Sequence, residues 1–349
     1  MKKLAKVLKR AGKPTVGHRC PDGTRLLVLP YGGRLLGLYS KQSDENFYWN
    51  HKALESVKTA RIFYSSEQWH NSGGDRTWLG PEADLFFPNF PALDKYVQQR
   101  SLDPGRYRVV KTKDQFQLIN SFRVRFSRLN QALKLKITKS FGPAPNPLRY
   151  EHGLDLSKVE YAGYTQYTSL KFVDKSEAEV AQVGLWNLVQ MPHGGELMIP
   201  TFGRARPRPI FSTTGGIAPK DLIIRDGLIR YRMRQKGEHK ISVRAVSVSG
   251  RVGYVYRTNK QLALIIRNFN VNPSGEYVDV PWNETDYLGF AVQACNVNSS
   301  LGAFSELEYH IPAIGYGTGR DHCHDETQVW AFRGSEKLIG KIQRVLLGP

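Results

Sequence analysis

Two carboxylates and an imidazole alternate along residues 304–312, FSELEYHIP. On an extended chain, side chains two apart share a face. Glu306, Glu308 and His310 therefore point one way, and Leu307, Tyr309 and Ile311 the other. Neighbouring negative charge and burial both raise a carboxyl pKa, and a raised carboxyl can exchange a proton near neutrality. The plainer alternative is an exposed strand whose polar face meets lysines or arginines of its neighbours.

A second group lies in residues 66–90, SEQWHNSGGDRTWLGPEADLFFPNF. Gly73-Gly74 reads as a tight turn. Beyond it Arg76 and Trp78 share one face of a strand, Pro81 ends the pairing, and Glu82 follows at the strand's mouth. Trp69 and His70 precede the turn. An aromatic plane beside a rigid fork of donors and a carboxylate suits a ring rich in hydroxyls, that is, a sugar. The alternative is a core tryptophan with an Arg–Glu pair bracing the turn.

A third group is WNLVQMPH, where Trp186, Leu188 and Gln190 face one way and His193 sits in a turn with Gly194-Gly195. A histidine flanked by glycines can reach a ligand. The run RDHCHDE at 320–326 holds His322, Cys323 and His324, but three consecutive side chains cannot all point at one ion. No CxxC or HExxH spacing is present, so no metal site is expected. There is no phosphate-cradling glycine loop and no GxSxG turn, so no cofactor is expected. The absence of a zinc-finger or DNA-reading helix pattern argues against nucleic acid as the partner.

These groups must be positioned by strands. Apolar residues step by two through Phe116 and Leu118, then Phe122, Val124 and Phe126, then Leu133, Leu135 and Ile137, with polar residues between. That is a meander with one wet face. Strand patterns resume at 162–173 and recur at 184–191, 196–199, 228–233, 241–248, 252–256, 262–269, 277–280, 288–294, 304–311 and 327–332. Only 335–347 reads as a helix, with Leu338, Ile339, Ile342, Val345 and Leu346 at helical spacing and Ser335 as a cap. Many short strands and almost no helix predict an all-β architecture of large packed antiparallel sheets with a short C-terminal helix. The chain divides into a basic arm, 1–20, and one domain, 21–349.

The 349 residues are 40% hydrophobic and 11% aromatic, enough for a real core. No signal-peptide core and no membrane-spanning run is visible, so a cytoplasmic location and no membrane contact are expected. Three widely spaced cysteines, Cys20, Cys295 and Cys323, fit a reducing compartment. The net charge is +19, densest over 201–260, where 14 Lys or Arg meet only Asp221, Asp226 and Glu238. Arg230, Arg232 and Arg234 alternate there, which suits a polyanion or an acidic sugar.

GGDRTWLGPEADLFF, GLWNLVQMPHGG and FSELEYHIP, with the opening GGRLLGLYS, resemble an uncharacterised bacterial family of the galactose mutarotase-like (aldose 1-epimerase-like) superfamily over nearly the whole chain. The resemblance implies a β-supersandwich with a sugar cleft across one concave sheet. In such epimerases a Glu takes the anomeric hydroxyl proton, a His donates to the ring oxygen, and the ring opens and closes on its other face. By resemblance Arg76 holds the sugar and Glu308 is the base. The superfamily's Asn-His acid motif is not present as such, and Gln190 and His193 occupy its region.

The expected function is therefore binding of a neutral or acidic mono- or oligosaccharide, with aldose 1-epimerase-like chemistry at the anomeric centre. Glu308, Glu306, His193 and His310 are the expected catalytic groups. Arg76, Trp78, Glu82, Trp69, His70, Trp186 and Gln190 are the expected sugar contacts. The alternatives are a non-catalytic glycan-binding module and a polyanion-binding basic surface.

Overall fold

The computed structural model describes residues 1–111, 116–203, 205–259, 261–284 and 289–348. It is built from two ten-stranded antiparallel sheets. The first runs from Val16–Arg19 through Arg25–Leu29 and Arg34–Tyr39 to its centre. There Asp75–Gly80, Gln182–Pro192, Gly302–His310, Val292–Ser299 and Gly237–Val243 lie side by side, and Arg208–Ser212 forms the far edge. The second sheet contains the long strands Phe116–Phe126, Gln131–Pro143, Glu160–Phe172 and His322–Gly334.

Period-two patterning explains the layering. In Phe116–Phe126 the residues Phe116, Leu118, Phe122, Val124 and Phe126 are buried while Arg123 and Arg125 are exposed. The buried side packs against the first sheet, and Leu133, Leu135, Ile137, Leu185, Val189 and Leu307 share one core. The buried charges inside that core are matched across the two sheets, although Asp75 Oδ1 and Arg267 Nη2 have no hydrogen-bond partner. Arg267 Nη1 meets Asp75 Oδ2 at 2.7 Å with both side chains fully buried, and Tyr164 donates to the same oxygen at 2.5 Å. Fully buried charges persist only when matched this way.

The central strand Asp75–Gly80 is inaccessible on both faces. The Gly73-Gly74 turn that leads into it has φ of 94° and 75°. A Cβ at Gly73 would lie 2.2 Å from the Trp49 carbonyl oxygen, and one at Gly74 2.3 Å from that of Leu35. Only glycine lets the chain enter the sheet here.

The C-terminal helix is Glu336–Leu347, capped by Ser335, whose side chain accepts from the Leu338 N–H. Ile339, Ile342, Leu346 and Leu347 pack on Leu264, Ile266 and Phe332 of the second sheet, while Val345 is exposed.

Several details go beyond expectation or differ from it. Residues 1–20 pack against the first sheet. Helix Lys2–Arg10 buries Val7 and Leu8 against Leu29, Leu36 and Leu54, and Val16–Arg19 pairs with Arg25–Leu29 as an edge strand. Helices Val57–Ser65 and Glu82–Phe86 were not signalled by periodicity, the second being too short to show one. Residues 277–280 are irregular because Asp279 turns to accept from the Glu82 N–H and from Gln293. The strand expected from 288 begins at Val292, and Leu288 lies outside the described residues. That expected over 241–248 ends at Val243. Among the described residues no helix is long and apolar enough to cross a membrane.

Candidate functional site

The register of the first sheet assembles the site. Arg76 lies opposite Leu188, and Leu188 opposite Glu308. Trp78, Trp186 and His310 form the adjacent row, and Gln190, Glu306, Cys295 and Lys240 another. The same alternation turns all these side chains away from the second sheet. Of these, all but Gln190 and His310 floor a cavity of about 610 Å³ walled by Trp69, Tyr96, Phe211 and Trp282.

The charges on this floor are interlocked. Arg76 Nη2 lies 2.9 Å from Glu306 Oε1, and Gln190 Nε2 donates to the same oxygen at 2.9 Å. The guanidinium stacks over Trp78 at 4.2 Å and over Trp69 at 5.2 Å. Both indoles donate to Asp103 Oδ2, which also pairs with Arg34 at 2.8 Å, so the platform under Arg76 is fixed from behind. Across the floor, Lys240 Nζ lies 3.2 Å from Glu82 Oε2 and 3.4 Å from Glu308 Oε2, and 4.3 Å from the centre of the Trp186 ring. Glu308 Oε2 also accepts from Trp186 Nε1 at 2.8 Å. Glu82 is held by Tyr96 at 2.7 Å and by Trp282 Nε1 at 3.0 Å.

Burial pushes the Glu308 carboxyl up to about 7; the nearby Lys240 ammonium opposes this, and the charges of Glu306 and Glu82 add to it. Burial works against charge on Lys240, but Glu308, Glu82 and Asp279 together raise its pKa above the ordinary lysine value. Burial, then Glu306 and Glu308, raise the Cys295 thiol well above its usual range, which favours its neutral form. Three polar atoms on this floor are buried without a partner, Arg76 Nε and Nη1 and Glu308 Oε1, and Gln190 Oε1 behind it is likewise unpartnered. Buried unpaired donors and acceptors are costly unless something else meets them. A ligand carrying both hydroxyl donors and hydroxyl acceptors would do so.

Most of the residues singled out from sequence converge here: Arg76, Trp78, Trp69, Glu82, Trp186, Glu306 and Glu308 all line the cavity. Gln190 stands behind, orienting Glu306. None of His70, His193 and His310 lines the cavity. His193 turns to the other side of the sheet and bonds Asn296 Oδ1 at 3.0 Å. Its strand-neighbour parity explains this, because Asn296 alternates with Cys295 and Val297, which line the cavity.

His310 shares the face of Glu308 but is sealed beneath Trp186, stacked at 5.4 Å. Its Nε2 meets Gln293 Oε1 at 2.9 Å, and burial and Lys240 lower its pKa well below the usual histidine value. His70 is buried elsewhere, between Tyr31 and the Ser66 carbonyl.

Lys240, Cys295, Asp279, Tyr96 and Trp282 were not singled out from sequence. Lys240 had one available signal, its period-two spacing from Glu238 on the strand Gly237–Val243. Trp282 and Tyr96 come from irregular segments, which carry no such signal.

Cys295, Glu306 and Glu308 place ligand-type atoms within 4.8 Å of one another. Arg76 and Lys240 already supply positive charge to both carboxylates, so this donor set is poorly matched to a divalent ion. In the run RDHCHDE, His322 and His324 are exposed on one face of the strand His322–Gly334 while Cys323 points to the other. The arginine stripe is largely neutralised: Arg230 and Arg232 pair with Glu196, and Arg234 with Asp221. Arg204 and Lys260 of that stretch lie outside the described residues.

A larger hollow of about 840 Å³ lies between Asp84, Arg128, Glu276 and Tyr316. Its Asp84–Arg128 pair is closed at 2.7 Å, and Gln182 donates to Glu276. Among the described residues, none that lines it carries a buried, unpartnered polar atom.

No curated protein matches the chain. The solved structure of a galactose 1-epimerase from Lactobacillus acidophilus NCFM aligns over 92% of this chain and 95% of its own, at 10% identity and a TM-score of 0.40. A likeness at that level carries no statement about activity. The family model described as "Family of unknown function (DUF6786)" matches residues 3–349, and the chain belongs to that family.

Proposed function

We propose that this protein binds a monosaccharide or the end of an oligosaccharide in the 610 Å³ cavity on the first sheet. The observation that carries the reading is the juxtaposition, on one floor, of unpartnered donors on Arg76 and an unpartnered acceptor on Glu308. Around them stand the indoles of Trp69, Trp186 and Trp282. Hydroxyls both donate and accept, and sugar rings present apolar C–H faces to aromatic planes. A cavity of this size, apolar-walled with few convergent polar groups, is what small-molecule sites look like.

Glu308 is the group suited to proton exchange, since a carboxyl poised near 7 can give or take a proton at neutral pH. Neither His193 nor His310 reaches the cavity, which favours binding without epimerisation over a Glu–His mechanism.

Calorimetric titration with neutral hexoses and pentoses tests the reading. At least one should bind, and Trp282→Ala, at a half-buried wall position, should weaken it by about tenfold, the worth of one good aromatic contact. Absence of binding across the panel, or full affinity in the variant, would count against the cavity. Saturation-transfer NMR on the two anomers separates binding from turnover. Binding without turnover leaves the interconversion rate at that of free sugar.

A further inference from the structure

The cavity is acid-lined in a protein whose net charge is +19. Three carboxylates, Glu82, Glu306 and Glu308, are buried on its floor with 4%, 7% and 1% exposure, against two buried cations, Arg76 and Lys240, at 2% each. Arg76 is committed to Glu306, and Lys240 is shared between Glu82 and Glu308. The floor is therefore one positive charge short when all five groups are ionised. The deficit is localised, because Glu308 Oε1 is buried and has no hydrogen-bond partner. Glu238 and Asp94 at the rim add further negative charge. The neutral state of His310 supplies no compensation from beneath.

Resting on the sugar-binding reading above, we infer that the ligand is an amino sugar, its ammonium set against Glu308 Oε1 and its hydroxyls taken by Arg76. An ammonium there would complete the charge balance and turn an orphaned acceptor into a charge-assisted hydrogen bond. The surrounding indole faces favour a cation as well. An acidic sugar, by contrast, would bring a fourth negative charge to a floor whose cations are already spent. The positive exterior would attract such a ligand to the surface, and the cavity would reject it.

A divalent metal at Cys295, Glu306 and Glu308 is the competing source of positive charge. It would bring two positive charges to a floor that is one short, and would have to displace a thiol proton that burial retains.

The experiment is a calorimetric panel on the full chain near neutral pH, where the amino sugar still carries its ammonium and Glu308 is already partly ionised. It uses glucosamine and galactosamine, their parent hexoses, their N-acetyl derivatives, the matching uronates, and zinc or manganese chloride. The amino sugar of one series should bind about tenfold or more tighter than its parent, the scale of one charge-assisted bond. N-acetylation should erase the gain, and the uronate should bind weakest. Glu308→Gln should reduce the amine-over-parent ratio to near one, whatever change it makes to the affinity of the parent hexose itself.

If hexoses bind and the amine has no advantage, the inference fails and the sugar-binding reading stands. If no sugar binds, both fail. Tight metal binding with no amine preference would also overturn the inference. Should the Glu308 variant not fold, the wild-type ratio of amine to N-acetyl derivative still decides the matter.

Discussion

At the scale of single residues the account turns on Glu308. A group whose folded-state pKa is raised binds a proton that the unfolded chain has already lost. Between the ordinary glutamate value and about 7, folding therefore takes up a proton at this site, and stability falls as pH rises. Above that window both states are ionised and the native state carries the full cost, on the order of 3 kcal/mol for a shift of this size. Glu308→Gln has no such titration. Urea unfolding at acid and alkaline pH should show the variant gaining stability relative to wild type as pH rises through the window. A wild-type–variant difference that does not change with pH would contradict the charge arrangement around Lys240, Glu306 and Glu82. The pairing of Glu306 and Glu308 on one face was legible in the sequence from period two alone. The lysine between Glu308 and Glu82 was not, because contact across five strands depends on sheet order, which spacing along the chain does not encode.

At the scale of elements, the strand Asp75–Gly80 links the two layers. Its even-numbered side chains floor the cavity, and Asp75 reaches the second sheet at Arg267. Removing one partner of a fully buried ion pair strands the other. Arg267→Met should therefore cost about 3–5 kcal/mol, read as a lower denaturation midpoint. A loss under about 1 kcal/mol would mean that Tyr164 alone satisfies Asp75. The turn glycines ahead of this strand were readable as a turn, and the alternation after them gave the correct face for Arg76 and Trp78. Strand ends were less legible. Val243 gives way to the helical turn Ala245–Ser247, and Val292 pairs with it at the other strand's start, boundaries that the local hydrophobic pattern does not mark. His193 illustrates the same limit. Its glycine-flanked turn was evident, but the turn's side of the sheet was decided by how the chain leaves Gln182–Pro192 and passes into Glu196–Pro200 of the second sheet.

At the scale of the whole molecule, two antiparallel sheets and a C-terminal helix follow from many short alternating segments and one amphipathic stretch near the end. The short helices did not, since five or nine residues barely complete a turn or two. Net charge was the loudest compositional signal, and it proved a poor guide to the site. The exterior is basic, the Arg230–Arg234 stripe is paired with acids, and the cavity itself is acid-lined. The central claim is that residues far apart in the chain, around Arg76 and Glu308, jointly form a sugar's seat. A crystal soaked with the sugar that binds most tightly tests this directly. The account predicts electron density for the ring against the indoles, with hydroxyls on the free guanidinium nitrogens of Arg76 and a polar group on Glu308 Oε1. Density on the basic exterior, or in the hollow beside Arg128, with this cavity left empty, would contradict it.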